Sequence, residues 1–173
     1  MSAPLVVLVG PPGSGKSTVG RLVAEHRGVE FRDTDADIEA TTGKTISDIF
    51  IEDGEPYFRE LEVVAVRTAL NEHDGVLALG GGAVVNPAVR EQLAGHRVVF
   101  LDVGLAAAAQ RVGFAQSRPL LILNPRAELK RLMEERRPHY EAVATTIVMT
   151  DDHEPEMVAK EIEALLEPGA TNA

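Results

Sequence analysis

GPPGSGKST, Gly10 to Thr18, is the stretch on which the fold of this chain turns. It has a glycine, four residues, then Gly15, Lys16 and Ser17, the spacing of a phosphate-binding loop. In front of it runs the apolar segment Leu5-Val6-Val7-Leu8-Val9, and behind it residues 19–27 carry a helical pattern. Strand, loop and helix in that order give the motif its physical meaning. Glycines let the loop curl so that successive backbone N–H groups converge on phosphate oxygens. The positive end of the following helix faces the same anion. Lys16 reaches toward the β/γ-phosphates, and the Ser17 hydroxyl is placed to ligate Mg²⁺. The loop therefore implies a nucleoside triphosphate, held by Gly13, Ser14, Gly15, Lys16, Ser17 and Thr18.

The rest of the chain sets limits. Its 173 residues suit a single domain with a full core. A net charge of −10 argues against a general nucleic-acid binder, although a local basic pocket remains compatible with it. With no cysteine there is no disulfide, thiol nucleophile or thiolate metal site. The five histidines lack metal-ligand spacing and are expected to be structural or at the surface. The first strand begins at Leu5, which leaves no room for a signal peptide, and no apolar run approaches the roughly 20 residues of a membrane span. A cytoplasmic protein is expected.

Apolar runs at 5–9, 29–33, 76–79, 98–102 and 146–149 alternate with helical patterns near 16–27, 56–71, 87–94, 105–110, 125–136 and 154–166. Asn86-Pro87 and Asn124-Pro125 each offer a capping residue followed by proline at the first helical position. This alternation predicts βαβ units and a parallel sheet covered on both faces. Residues 167–173 read as a frayed tail.

Four further stretches carry polar groups suited to chemistry. In FRDTDADIE, Asp33 and Asp35 fall at the end of the second strand, the edge where open α/β sheets bind ligands. One acid could serve a metal's water shell and the other take a proton from an acceptor hydroxyl; equally, the pair could cap a helix starting near Ala36. In GEPYFRELE, Glu62 follows Arg59 at helical pairing distance. Gly80, Gly81 and Gly82 follow the third strand and would either bring backbone close to a ligand or form a flexible turn. Arg111, Arg118, Arg136 and Arg137 offer cations for phosphates or for a carboxylate, against the ordinary alternative of solvated surface arginines. VVFLD, ending at Asp102, has the pattern of a metal-orienting strand, but the pair Asp33 and Asp35 lies nearer the loop in sequence and is preferred.

Taken together, GPPGSGKST, DTD at Asp33 to Asp35, TGKTISDIF with GEPYFRELE, LGGGA, RPLL from Arg118 and R-x-P-x-Y from Arg136 to Tyr140 resemble the shikimate kinases, and the resemblance runs from Gly10 to about Glu163. It implies a three-layer P-loop kinase fold: a five-stranded parallel sheet flanked by helices, a short helical substrate-binding insertion at about 34–62, and a mobile lid at about 112–124. It also implies transfer of the γ-phosphoryl of ATP to the 3-hydroxyl of shikimate, on the route to chorismate and aromatic amino acids. Lys16 would contact the phosphates, with Ser17 on Mg²⁺ and Asp33 acting through the ion's water shell. Asp35 would be the base on the ring hydroxyls, and Arg59 and Arg136 would clamp the carboxylate against Gly80, Gly81 and Gly82. Arg118 would belong to the lid, and Arg111 would lie beside the adenine. The small-molecule partner it implies is shikimate; a monomer without nucleic-acid or membrane partners is expected, the last two from the charge and the short apolar runs.

This chain departs from that pattern at two positions. His153 stands where some relatives place an adenine-side arginine, and His139 replaces the usual leucine of R-x-P-L-Y. The motif aligns Arg136, not its neighbour Arg137. A gluconate kinase would share the phosphate loop but not the remaining set. A nucleoside-monophosphate kinase would need lid arginines and a base site of its own. A regulatory GTPase predicts N-K-x-D, whose nearest counterpart here, Asn71-Glu72-His73-Asp74, lacks the lysine.

Overall fold

In the computed structural model, residues 3–112 and 125–167 are described. Five strands form one parallel sheet: β1 (Val6–Val9), β2 (Phe31–Asp33), β3 (Val76–Ala78), β4 (Val98–Asp102) and β5 (Thr146–Met149), in the order β2-β3-β1-β4-β5. The register pairs Val7 with Leu77 on one side of β1 and with Val98 on the other. Among the described residues, the helices are α1 (Lys16–Arg27), α2 (Thr34–Thr42), α3 (Ile46–Glu52), α4 (Glu55–Glu72), α5 (Pro87–Leu93), α6 (Leu105–Val112), α7 (Pro125–Val143) and α8 (Pro155–Leu166). A 3₁₀ turn spans Ala83–Val85.

The unbroken apolar run of β1 follows from its central place. Successive side chains point to opposite faces, and both faces are covered. Val6 and Leu8 pack beneath α1 and α8, against Val23 and Ile162. Val7 and Val9 pack on the other side among residues of α4, α5 and α7, including Val66, Leu93 and Tyr140. Helix α1 lies close to the sheet because Gly20 has no side chain; a Cβ there would come within 3.2 Å of Leu8 Cδ1. From β1 the chain crosses toward β2, and from β4 toward β5, so the two connections leave in opposite directions. That divergence opens a crevice at the carboxyl ends of β1 and β4, the place where such sheets bind ligands. The loop Gly10 to Gly15 stands at this crevice.

Two local expectations need correction. Strand β2 is shorter than the apolar pattern suggested, and α2 begins at Thr34, so Asp35 lies in a first helical turn rather than on an extended strand. The Asp33 side chain ends the strand by capping α2, accepting from the Asp35 N–H at 2.8 Å. Helix α7 does not stop near Arg136 but continues through Pro138 to Val143. Proline removes one backbone donor and weakens the turn that contains it. The helix persists because side chains on either side of the proline are tied to the sheet end, Arg137 to Asp102 and Tyr140 to the Gly81 carbonyl.

Between β2 and β3, α2, α3 and the start of α4 enclose a small core of their own from Ile38, Ile49 and Phe58. This is the helical insertion expected after the second strand. Among the described residues, no helix is long and apolar enough to cross a membrane. Arg118, the expected lid at 112–124 apart from the backbone of Val112, and the last six residues of the expected tail lie outside the described residues.

Candidate active site

The phosphate loop is shaped by backbone conformations that glycine adopts readily. Gly13 and Gly15 have φ of 80° and 92°, in the left-handed region. Gly10 is fixed by space as well: a Cβ would fall 2.7 Å from the Leu101 carbonyl oxygen on β4. Lys16 Nζ donates to the carbonyls of Gly10 and Pro11, at 2.7 and 3.2 Å, and so bridges the loop it belongs to. Ser17 and Thr18 are exposed at the start of α1. The loop opens on a cleft of about 810 Å³ that is also lined by Asp33, Asp35, Gly80, Gly81, Arg111 and His153.

On one side of the cleft, Arg111 reaches from α6 across to the loop. Its Nη1 donates to the Gly13 carbonyl at 3.2 Å and to Thr150 Oγ1 at 3.1 Å, and its Nη2 donates to the Thr150 carbonyl at 3.1 Å. Thr150 in turn donates its N–H to the Asp102 carbonyl at 2.8 Å, so the ends of β4 and β5 hold this wall. His153 donates from Nδ1 to the Met149 carbonyl at 3.2 Å, since a carbonyl can only accept. It thus belongs to the cleft as well as being structural.

The opposite wall is the triple glycine. None of the three has a positive φ, so their smallness serves space rather than backbone freedom. A Cβ on Gly80 would meet Asp35 Oδ1 at 2.6 Å and Glu62 Oε2 at 2.9 Å. One on Gly81 would meet Pro12 Cδ of the phosphate loop at 3.1 Å, and one on Gly82 would meet Arg59 Nη2 at 2.5 Å. The turn is held from behind by the Tyr140 hydroxyl, which donates to the Gly81 carbonyl at 2.5 Å. These contacts leave little room for a side chain at any of the three positions.

Arg59 donates from Nη1 to Glu62 Oε1 at 2.7 Å, the pairing its spacing suggested, and more loosely to Glu55 at 3.3 Å. Burial disfavours the Arg59 charge, but Glu62 and then Glu55 outweigh that and hold its pKa above the ordinary value. Glu62 is itself 1% exposed and stands beside Asp35 across Gly80. Its sequence spacing revealed the partner, whereas its closeness to Asp35 arises only on folding. Arg136 is buried at 5% exposure on α7, which packs against the 3₁₀ turn that follows the glycines. Arg59, Gly82 and Arg136 do not line the cleft directly but stand behind or beside its glycine wall. Asp102 does not line it either: its carboxylate is taken up by Arg137 through two bonds of 2.8 Å.

The donors near the loop are all oxygen, the hydroxyl of Ser17 and the carboxylate of Asp33, which suits a hard divalent cation such as Mg²⁺ accompanying phosphates. Burial, and then the neighbouring Asp35 charge, push the Asp33 pKa upward, while the Asp35 N–H, Lys16 and the Ala36 N–H pull it back. A carboxylate crowded in this way is poised to gain from a cation.

Comparison with known proteins follows the same lines. The sequence model of the family described as shikimate kinase matches residues 12–167. A shikimate kinase of Salinispora tropica is 62% identical over 95% of this chain and 98% of its own length. One of Thermobifida fusca is 56% identical over 94% and 97%. The solved structure of shikimate kinase from Acinetobacter baumannii in complex with shikimate superposes with a TM-score of 0.90 at 38% identity, covering 96% of this chain and 93% of that one.

The Asp33 shift has a consequence for stability. An acid whose folded pKa is raised binds its proton more tightly folded than unfolded. Stability is therefore lost as pH rises from the ordinary value of 3.8 through the folded value, and the loss persists above it. Asp33→Asn keeps the capping oxygen and removes the charge. The ligand- and metal-free variant is expected to melt above the parent near neutral pH, with the gain shrinking as pH falls toward 3.8. Scanning calorimetry across that range checks it, and coincident midpoints at neutral pH would contradict the electrostatic account.

Proposed function

The chain belongs to the shikimate kinase family, and on that premise we propose that it transfers the γ-phosphoryl of ATP to the 3-hydroxyl of shikimate, giving shikimate 3-phosphate and ADP. The observation that carries the assignment of residues is the glycine wall. One face of it abuts Asp35, its middle abuts the phosphate loop, and its far end abuts Arg59. A hydroxyl-bearing carboxylate lodged against that wall would have its hydroxyl near Asp35 and the loop, and its carboxylate toward the arginine.

In the proposed reaction, Lys16 and the loop N–H groups hold the triphosphate, with Gly13, Ser14, Gly15 and Thr18 completing the cradle. Ser17 would ligate Mg²⁺ and Asp33 would face its water shell, and the ion would supply neutralisation of the phosphate charge. Asp35 accepts the proton of the 3-hydroxyl as that oxygen bonds to the γ-phosphorus. The bond to the β-phosphate oxygen breaks in line with it, and ADP leaves. Arg59 and Arg136 bind the carboxylate by charge-assisted hydrogen bonds, and Gly80, Gly81 and Gly82 permit the close approach. Arg111 and His153 flank the base of the nucleotide. Arg118 over the phosphates rests on the family resemblance alone. Catalysis is then mostly positioning and charge neutralisation in a site partly closed to water. The proposal extends to a cytoplasmic monomer that acts without nucleic acid or membrane, in keeping with the net charge of −10.

Two substitutions test the roles. Asp35→Asn is expected to cut kcat by about 10²-fold or more while ATP still binds, as loss of a general base does. Near-normal turnover would refute the base. Arg136→Ala is expected to raise the KM for shikimate at least about tenfold, the scale of one charge-assisted contact, and to leave the KM for ATP nearly unchanged. A shikimate KM equal to the parent's would remove Arg136 from the carboxylate.

A further inference from the structure

Helix α7 is built around a weak point. Pro138 has no N–H to give to the carbonyl one turn earlier, so this part of the helix does not set its own orientation firmly. The weak turn lies between Arg136 and Tyr140, two buried residues four apart that therefore share a helix face. Tyr140 and Arg137 are among the side chains that fasten it to the rest of the molecule. Tyr140 donates to the Gly81 carbonyl, and its ring stacks on Phe100 at 5.0 Å. Arg137, on the neighbouring face, grips the Asp102 carboxylate at the end of β4 with two parallel bonds of 2.8 Å. Its guanidinium also lies 5.5 Å from the centre of the Phe100 ring and donates to Glu141 at 2.9 Å. The Asp102 side chain is 9% exposed and that of Arg137 48%, so this is a half-buried, bidentate pair in which the carboxylate, not the guanidinium, is withdrawn from water.

One attachment fixes where a helix lies; a second, on a different face, also fixes its roll about its own axis. Successive residues on a helix point about 100° apart, so the roll set by Arg137 determines where Arg136 points. We propose that Arg137, through its pair with Asp102, is a positioning residue for the acceptor site, holding the proline-weakened turn of α7 so that Arg136 faces the carboxylate of shikimate. The inference rests on the reading of Arg136 as half of the carboxylate clamp. It concerns a position that the R-x-P-x-Y pattern leaves open, and it gives a role to the Asp102 that the strand pattern VVFLD offered as a metal ligand.

The test is steady-state kinetics on Arg137→Ala, Arg137→Lys, Asp102→Asn, Arg136→Ala and the double variant Arg136→Ala/Arg137→Ala. Arg137→Ala is expected to raise the KM for shikimate about fivefold to tenfold, with kcat and the KM for ATP within about twofold of the parent, the scale of a displaced binding group. Arg137→Lys, which keeps the charge but not the paired bonds, should fall between the two, and Asp102→Asn should move shikimate KM in the same direction. In the Arg136→Ala background, Arg137→Ala should add nothing further, because it acts through the residue already removed. Three outcomes overturn the inference alone: an unchanged shikimate KM in Arg137→Ala while Arg136→Ala still raises it, an equal rise in both backgrounds, or a rise in the KM for ATP as large as that for shikimate. A parental shikimate KM in Arg136→Ala would overturn the clamp reading itself and this inference with it. A lowered melting temperature with unchanged KM values would show the pair to be structural only, and that too overturns it.

Discussion

A side chain of any size at residue 80 would collide with the carboxylate of Asp35, and one at residue 82 would collide with the guanidinium of Arg59. That steric constraint orders the rest of the site. The three glycines after β3 let an acid from α2, a proline from the phosphate loop and an arginine from α4 converge on one short stretch of backbone. These elements come from separate parts of the chain, and in the proposed reaction the wall is where the donor half and the acceptor half of the site would meet. Its far side is closed by Tyr140, which is why α7, late in sequence, matters to a pocket built mainly from the first half of the chain.

Charge is managed by the same packing. Asp33, Asp35 and Glu62 crowd together in a chain that is already strongly acidic. Arg59 neutralises Glu62 directly, and Lys16 eases the burden on Asp33. What remains is a cleft lined by the phosphate loop with Lys16, by Arg111 and by the carboxylates of Asp33 and Asp35, with Arg59 standing behind its glycine wall. Such crowding disfavours the charged form of Asp33, a pattern common at sites of chemistry.

The fold was legible in the sequence to the extent that it is local. The phosphate loop, the alternation of apolar runs with helical patterns and the Asn86 cap depend mainly on neighbouring residues, and they appear in the predicted order, with β2 shorter and α7 longer than their patterns suggested. The pairing of Arg59 with Glu62 was legible for the same reason, being one helical turn long. Contacts between residues far apart in sequence were not legible: Glu62 beside Asp35, Tyr140 on Gly81, Arg111 on Gly13 and Arg137 on Asp102. The end of α7 was misjudged because propensity stops a helix at proline, while this one continues past it with Arg137 held by Asp102 and Tyr140 by Gly81. The sequence pattern of β4 offered Asp102 as a metal ligand, and only the fold shows its carboxylate already occupied by arginine.

The central claim is that this wall joins a triphosphate site to a site for one hydroxy acid. Phosphorus NMR of the protein with ATP, Mg²⁺ and shikimate tests it most directly, with gluconate and AMP in parallel samples. The account predicts ADP and a new phosphate monoester in equal amounts in the shikimate sample, the ester phosphorus coupled to the ring proton at carbon 3, and no comparable product with the other two. An ester formed with gluconate or a diphosphate formed from AMP while shikimate stays unmodified would contradict it, as would release of inorganic phosphate alone.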